Sequence, residues 1–295
     1  MKPAPFEYFA PQNLPEALEL LEQYGEEAKI LAGGQSLMPL MNLRLARPKV
    51  VIDINRLSEL QYIAPGSNGD LAVGALTRQR TVERSDFVQR ENPLLAATIP
   101  LVSHAQIRNR GTIGGSIAHA DPAAELPALS VALEAEFTAR SARGQRVIQS
   151  QDFFLGYMTT ALQPTELLTE IHIPAWDPGF GWAVGEVSRR EGDFALVGAI
   201  VLLRLDENGG ACENARIVLF GVGAAPVRMR KAEEMLRGRR ADGKAIAEAA
   251  RIVSEDLEPD SDLHASAEYR KEVAGTLTRR SLVEALSRAR EATKR

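Results

Sequence analysis

The chain has 295 residues, with 35 basic and 39 acidic side chains and a formal net charge of −4. Hydrophobic residues make up 45% and charged residues 25%, which excludes a mainly disordered chain and suits two domains or one large one. The slight acidic excess offers no phosphate-tracking surface for nucleic acid, and no apolar run approaches the roughly 20 residues that a membrane helix needs.

Met1 to Pro5 lacks the apolar core of a secretory signal, so a cytoplasmic protein is expected. Cys212 is the one cysteine, and the four histidines lie far apart. An intrachain disulfide, a cysteine-ligated zinc site or an iron–sulfur cluster held by this chain alone is therefore excluded. Redox chemistry here would need an organic cofactor or centres on partners.

In chain order, residues 13–25 predict a helix. Asn13 can cap it, Gly25 can close it, and Leu14, Ala17, Leu18, Leu21 and Tyr24 share one face. A strand from Lys29 to Ala32 runs into Gly33-Gly34. Further strands are expected at Val50–Ile54 and Leu71–Leu76. Residues 93–110 predict one helix, followed by a second glycine-rich loop, Gly111-Thr112-Ile113-Gly114-Gly115-Ser116. Asp121-Pro122 should begin the next helix. Strand signals return at Val147-Ile148 and Leu167–Ile173.

Pro174 to Gly179 carries two prolines and a glycine and is taken as a domain boundary. Beyond it, Trp182–Ser188, Val197–Leu205 and Ala215–Val222 predict antiparallel strands, the last two joined by a turn at Asp206–Gly210. Helices are expected near 230–238, 242–255 and 267–290. The fold class is α+β, with domains at 1–177 and 178–295.

The two glycine segments carry the strongest chemical signal. Paired glycines let successive N–H groups point into one concavity, and a missing Cβ lets a diphosphate approach the backbone. Ser36, Thr112 and Ser116 can add hydroxyl donors. On this reading a bulky side chain at Gly33 or Gly114 enters the space of the diphosphate. The plain alternative is a pair of tight turns. Neither segment is a dinucleotide fingerprint or a Walker loop.

Leu31-Ala32-Gly33-Gly34-Gln35-Ser36-Leu37-Met38-Pro39-Leu40-Met41-Asn42-Leu43-Arg44 resembles the first flavin motif of a known family, and Ile107 to Ser116 with Asp121-Pro122 behind it resembles the second. The family is the FAD-binding medium subunit of molybdenum hydroxylases, which includes aerobic carbon monoxide dehydrogenases and xanthine dehydrogenases. The resemblance extends to Ser188–Ala195. It implies a two-lobed FAD-binding domain of the PCMH type, similar to vanillyl-alcohol oxidase, and a smaller sheet-and-helix domain.

It also implies that Ala32, Gly33, Gly34, Gln35, Ser36 and Leu37 wrap the FAD diphosphate while Thr112, Ile113, Gly114, Gly115 and Ser116 close on it. Glu125 would bind the sugar or ribityl region, Asp121 would be a further cofactor-binding residue, and Phe194 would lie near the flavin ring. Molybdenum cofactor and [2Fe-2S] clusters would sit on a large and a small partner subunit, assembled as a dimer of heterotrimers. Carbon monoxide dehydrogenases usually show His where this chain has Gln35.

Each singled-out residue also has a plain structural reading. Asp121 can simply cap a helix, and Glu125 can be a first-turn carboxylate favoured by the helix dipole. His119 reads as structural, and Arg108, Arg110, Arg189 and Arg190 as solvated or subunit-facing. No catalytic triad can be argued from spacing. Three functions stand open: an electron-transferring FAD subunit, a stand-alone flavin oxidase or reductase, and a non-redox nucleotide-binding module.

Overall fold

The computed structural model describes residues 2–66 and 68–293. The first lobe opens with β1 (Glu7–Phe9), α1 (Leu14–Tyr24), β2 (Ala28–Leu31), α2 (Leu37–Asn42) and β3 (Val50–Asp53). The strands form a parallel sheet in the order β1-β3-β2. Helix α1 starts where Asn13 accepts the Glu16 N–H at 3.0 Å, with Pro15 in the first turn. It buries Leu14, Ala17, Leu18 and Leu21 against the sheet.

The chain then builds a second layer. After β4 (Ile63–Pro65) and β5 (Leu71–Gly74) come the short helices α3 (Gln79–Glu83), α4 (Asp86–Glu91), α5 (Pro93–Thr98) and α6 (Ala105–Arg108). Helices α7 (Ile113–His119) and α8 (Glu125–Ala132) follow, then β6 (Glu136–Ser141), β7 (Gly144–Gln149), α9 (Ser150–Phe153), the hairpin β8 (Phe154–Gly156) and β9 (Thr159–Thr160), and β10 (Leu167–Ile173). Five of these strands form an antiparallel sheet, β4-β5-β10-β6-β7.

The second lobe is a four-stranded antiparallel sheet, β11 (Phe180–Ser188), β12 (Ala195–Leu205), β13 (Cys212–Phe220) and β14 (Val227–Arg228). Helices α10 (Arg230–Leu236), α11 (Gly243–Asp256) and α12 (Ala267–Ala292) complete it. Strand periodicity splits the sheet's burden. Ala183, Val197, Ala199 and Val201 face α12, whereas Ile200, Leu202, Val218 and Phe220 join one continuous core with Leu94, Leu126 and Leu129 of the first lobe. Polar ties reinforce that seam. Gly221 N–H donates to Pro122 O at 2.8 Å, and Arg216 reaches Ala132 O at 3.0 Å.

Three expectations need correction. Residues 93–110 are not one helix: Pro100 interrupts it, and Ser103 turns the chain at φ 48° before α6 begins. Asp121-Pro122 does not start a helix either. The Asp121 side chain accepts the Ala123 N–H at 2.9 Å in a turn, and α8 begins at Glu125. The second glycine segment is not a loop, since Gly114 and Gly115 lie in the first turn of α7, with Thr112 as its cap.

Candidate functional site

The two glycine segments, about 80 residues apart in sequence, meet in space. A Cβ on Gly33 would lie 2.5 Å from Arg110 O and 2.8 Å from Gly111 Cα. On the other side, a Cβ on Gly115 would lie 3.7 Å from the Ala32 Cβ. Gly34 takes φ +73°, where a side chain is strained. The expectation that a side chain at Gly33 or Gly114 would enter a ligand space is therefore corrected. At Gly33 it would strike Arg110, and at Gly114 it would strike Ala75, whose Cβ is 2.4 Å away.

The backbone donors of the two segments differ. In the second, Ile113 N–H donates to Thr77 O at 3.0 Å and Gly114 N–H to Ala75 O at 2.9 Å. Gly115 N–H donates to Thr112 Oγ1 at 3.0 Å, and Ser116 N–H to Thr112 O at 3.2 Å. In the first, the N–H groups of Gly33, Gly34, Gln35 and Ser36 find no acceptor among the described residues. Four consecutive N–H groups without a partner leave a row of donors available to an anion.

A polar frame fixes that turn from below. Asn55 donates through Nδ2 to Ala32 O at 2.7 Å and to Asp53 Oδ1 at 2.6 Å. Tyr8 donates to Asp53 Oδ2 at 2.7 Å. Burial alone would raise the Asp53 carboxyl, but these hydrogen bonds and the Arg110 charge hold it below the ordinary range. Arg78 donates to Asn55 Oδ1 at 2.7 Å and to Arg110 O. Gln35 folds back, its Nε2 donating to Gly33 O at 3.0 Å. Sequence reading missed Tyr8, Asn55 and Arg78, because only the fold brings these isolated polar residues beneath the turn.

The expectation that Arg108 is solvated or subunit-facing is corrected. The residue is buried, pairs with Glu83 through two bonds of 2.9 and 3.0 Å, and donates to Val102 O and Ser103 O. The Arg108 hydrogen bond holds the Glu83 carboxyl down at about 2. Beyond α7 the acids gather. Glu125 is 6% exposed in the first turn of α8, and burial with Asp121 repulsion pushes its carboxyl up to about 7. His119, at the C-terminal end of α7, is lowered by burial.

Phe194 is 65% exposed. It ends the β11–β12 connection, in which Gly192 lies directly over the His104 ring of the first lobe; a Cβ there would be 2.3 Å from the ring. Arg189 reaches His264 at 3.2 Å, and Arg190 is exposed. Cys212 is buried in the second core, where burial pushes its thiol up to about 11. Among the described residues, no group of three or more His, Cys, Asp or Glu side chains could hold a metal ion. No described helix is long and apolar enough to cross a membrane.

Two family models cover this architecture. Residues 4–176 match the FAD binding domain in molybdopterin dehydrogenase, and residues 182–285 match the CO dehydrogenase flavoprotein C-terminal domain. The chain belongs to the FAD-binding medium subunits of the molybdenum hydroxylases. It is 42% identical over 290 residues to the 6-hydroxypseudooxynicotine dehydrogenase complex subunit alpha of Paenarthrobacter nicotinovorans, spanning 98% of this chain and 97% of that one. It is 40% identical over 288 residues to the carbon monoxide dehydrogenase medium chain of Hydrogenophaga pseudoflava, spanning 98% and 99%.

Among solved structures, carbon monoxide dehydrogenase from Hydrogenophaga pseudoflava superposes with a TM-score of 0.94 at 41% identity, covering 98% of this chain and 99% of that one. Quinoline 2-oxidoreductase from Pseudomonas putida 86 gives a TM-score of 0.92 at 38% identity, covering 98% and 99%. This medium subunit is thus an oxidoreductase component with an FAD-binding domain, and relatives of its kind are named as parts of multi-subunit complexes.

Proposed function

We propose that this medium subunit seats the FAD diphosphate on the turn Ala32–Leu37, where the four free N–H groups at 33–36 supply the donors. That array is the observation that carries the assignment. Arg78 and Arg110 flank the turn and add positive charge. Thr112 to Ser116 close the site from the opposite side by shape, with Ser116 Oγ as a further donor.

Helix α7 then leads away from the diphosphate toward Asp121 and Glu125. Its seven residues rise about 10 Å, which suits a cofactor whose hydroxyl-bearing chain follows its phosphates. Glu125 accepts from those hydroxyls, and Phe194 offers its open ring face toward the flavin. The FAD-binding domain is residues 1–177 and the C-terminal domain residues 178–295.

Bound FAD supplies electron transfer between a partner's iron–sulfur clusters and an external acceptor. The chain itself positions the cofactor and shields it. A small iron–sulfur subunit and a large molybdenum subunit complete the complex as a dimer of heterotrimers in the cytoplasm. With one cysteine, this chain leaves the clusters to a partner. The substrate is met by the molybdenum subunit.

Purification of the chain is expected to yield a yellow protein with one FAD released on denaturation. A colourless protein that ignores added FAD would overturn the assignment. Release of a different diphosphate, identified by mass spectrometry, would point to a nucleotide-binding module instead.

A further inference from the structure

Helix α2 and the turn after it are apolar where a surface element is normally polar. Five of the six residues of α2 are Leu, Met or Pro, yet only Met41 is buried, and none of the six joins the hydrophobic cores. Pro39 is exposed, Leu43 is 57% exposed and Leu45 is 73% exposed. A helix that is apolar on all sides belongs inside a structure, and a grouped, exposed apolar surface marks a contact. The surface is also held in place. Leu43 N–H donates to Pro39 O, Arg44 N–H to Met41 O and Leu45 N–H to Leu40 O, each at 2.9 Å. Arg44 takes φ 59°, where any residue but glycine is strained. A strained, hydrogen-bonded turn that holds two leucines out into water is shaped for something that covers them.

The charge around these leucines has one sign. Ser36 to Lys49 contains no acidic residue, while Arg44 and Arg47 flank Leu45 in sequence. Their side chains bond only backbone carbonyls, Arg44 to Lys2 O at 3.3 Å and Arg47 to Arg44 O at 2.9 Å. The acids that bracket the segment in sequence are committed elsewhere, Glu27 to Lys49 and Asp53 to Tyr8 and Asn55. Both guanidinium charges are therefore left for a partner.

We propose that Pro39, Leu43 and Leu45, flanked by Arg44 and Arg47, dock into an apolar pocket rimmed by carboxylates on another subunit of the complex. This rests on the reading of the chain as one member of a multi-subunit assembly, given above. A second copy of this chain does not fit, because a two-fold contact sets the patch against itself and arginine against arginine. The cofactor and the partner meet α2 at opposite ends. Leu37 borders the cofactor seat, whereas Leu43 and Leu45 lie past the far end of the helix, about 9 Å away along its axis.

The test is co-purification of the tagged chain with the iron–sulfur and molybdenum subunits of its complex, all co-expressed, with subunit ratios read after size-exclusion chromatography. Leu45→Asp sets a carboxylate against carboxylates and should cut retention of the docked subunit at least about tenfold, with flavin content and thermal melting unchanged. Arg47→Glu should cut retention at low salt, and its deficit against wild type should shrink at about 1 M salt, where screening acts beyond about 3 Å. Val147→Asp, at a 55% exposed apolar residue on β7, should keep both subunits at the wild-type ratio. Full retention of both subunits by Leu45→Asp, or an equal loss in Val147→Asp, overturns the docking surface and leaves the complex reading intact. Flavin loss in Leu45→Asp would overturn it in favour of the cofactor. A dimer of the isolated wild-type chain that Leu45→Asp dissociates would overturn it in favour of a second copy. Retention of neither subunit by wild type overturns the complex reading itself.

Discussion

Two segments of this chain look alike as sequence, each a Gly-Gly pair beside a hydroxyl residue, and the fold uses them in opposite ways. At 33–36 the N–H groups have no acceptor among the described residues. At 113–116 every N–H is already bonded to Ala75, Thr77 or Thr112. The first pair is a donor array. The second is a packing device, in which the missing side chain of Gly114 lets α7 dock at Ala75, just past the end of β5, while in the first pair it is Gly33 that lets the turn rest on Arg110-Gly111. A glycine motif therefore becomes a binding site only where its amides lack partners.

The largest expected effect breaks the packing half of this comparison. Gly114→Val places a branched side chain where a Cβ alone would be 2.4 Å from the Ala75 Cβ and 2.8 Å from Ala75 backbone atoms. The backbone cannot give way cheaply, so a loss of about 3 kcal/mol is expected in urea unfolding, with flavin lost alongside. Normal stability with flavin alone lost would show that Gly114 faces ligand after all.

The next effect lies beside the second segment. Arg108 and Glu83 are both largely buried, and Arg108 also ties the 100–103 turn. Glu83→Gln should cost about 2 kcal/mol, between the values for exposed and buried pairs. The pH sign follows from the lowered carboxyl. Its contribution is complete above the ordinary value of 4.5 and is lost as pH falls toward about 2. Urea unfolding followed by circular dichroism should therefore show the wild-type advantage over Glu83→Gln shrinking as pH falls from 4.5 toward about 2. Parallel acid profiles would contradict the pairing.

Much of the frame was legible in the sequence because its signals are local. Asn13, Pro15 and Gly25 mark α1 by capping chemistry alone, and Asp206–Gly210 marks the β12–β13 turn. The second glycine segment misled because glycine is a poor helix former, whereas Thr112 and the Ala75–Thr77 carbonyls make the helix start there. Ser103 at positive φ could not be read ahead of α6. The site's frame was hidden for a different reason. Tyr8, Asn55 and Arg78 are ordinary polar residues in sequence, and their roles exist only in tertiary contact.

A smaller effect probes that hidden frame under the donor array. Asn55→Ala removes the support of Ala32 O and the partner of Arg78, with no direct change to the four free N–H groups. Stability should fall by about 1 kcal/mol, the usual net worth of such bonds. FAD affinity should fall about tenfold, because the turn loses its fixed orientation. Thermal melting and flavin titration separate the two. An affinity loss no greater than the stability loss would mean that the turn is held by its own glycines rather than by Asn55.

The smallest effect concerns the side chain inside the donor array itself. Gln35 stands where carbon monoxide dehydrogenases usually carry His, yet its amide folds back onto Gly33 O at 3.0 Å. Its contribution to the array is its backbone N–H, which any residue but proline supplies. Gln35→His keeps that N–H and places a ring N–H donor within the same short reach. FAD affinity should change by less than about threefold, within the worth of one neutral hydrogen bond. Titration of the variant with FAD reads this directly. A tenfold change in either direction would show that the side chain, and not the row of amides, decides how the turn meets its anion, and the contrast between the two glycine pairs would then rest on side chains instead of backbone.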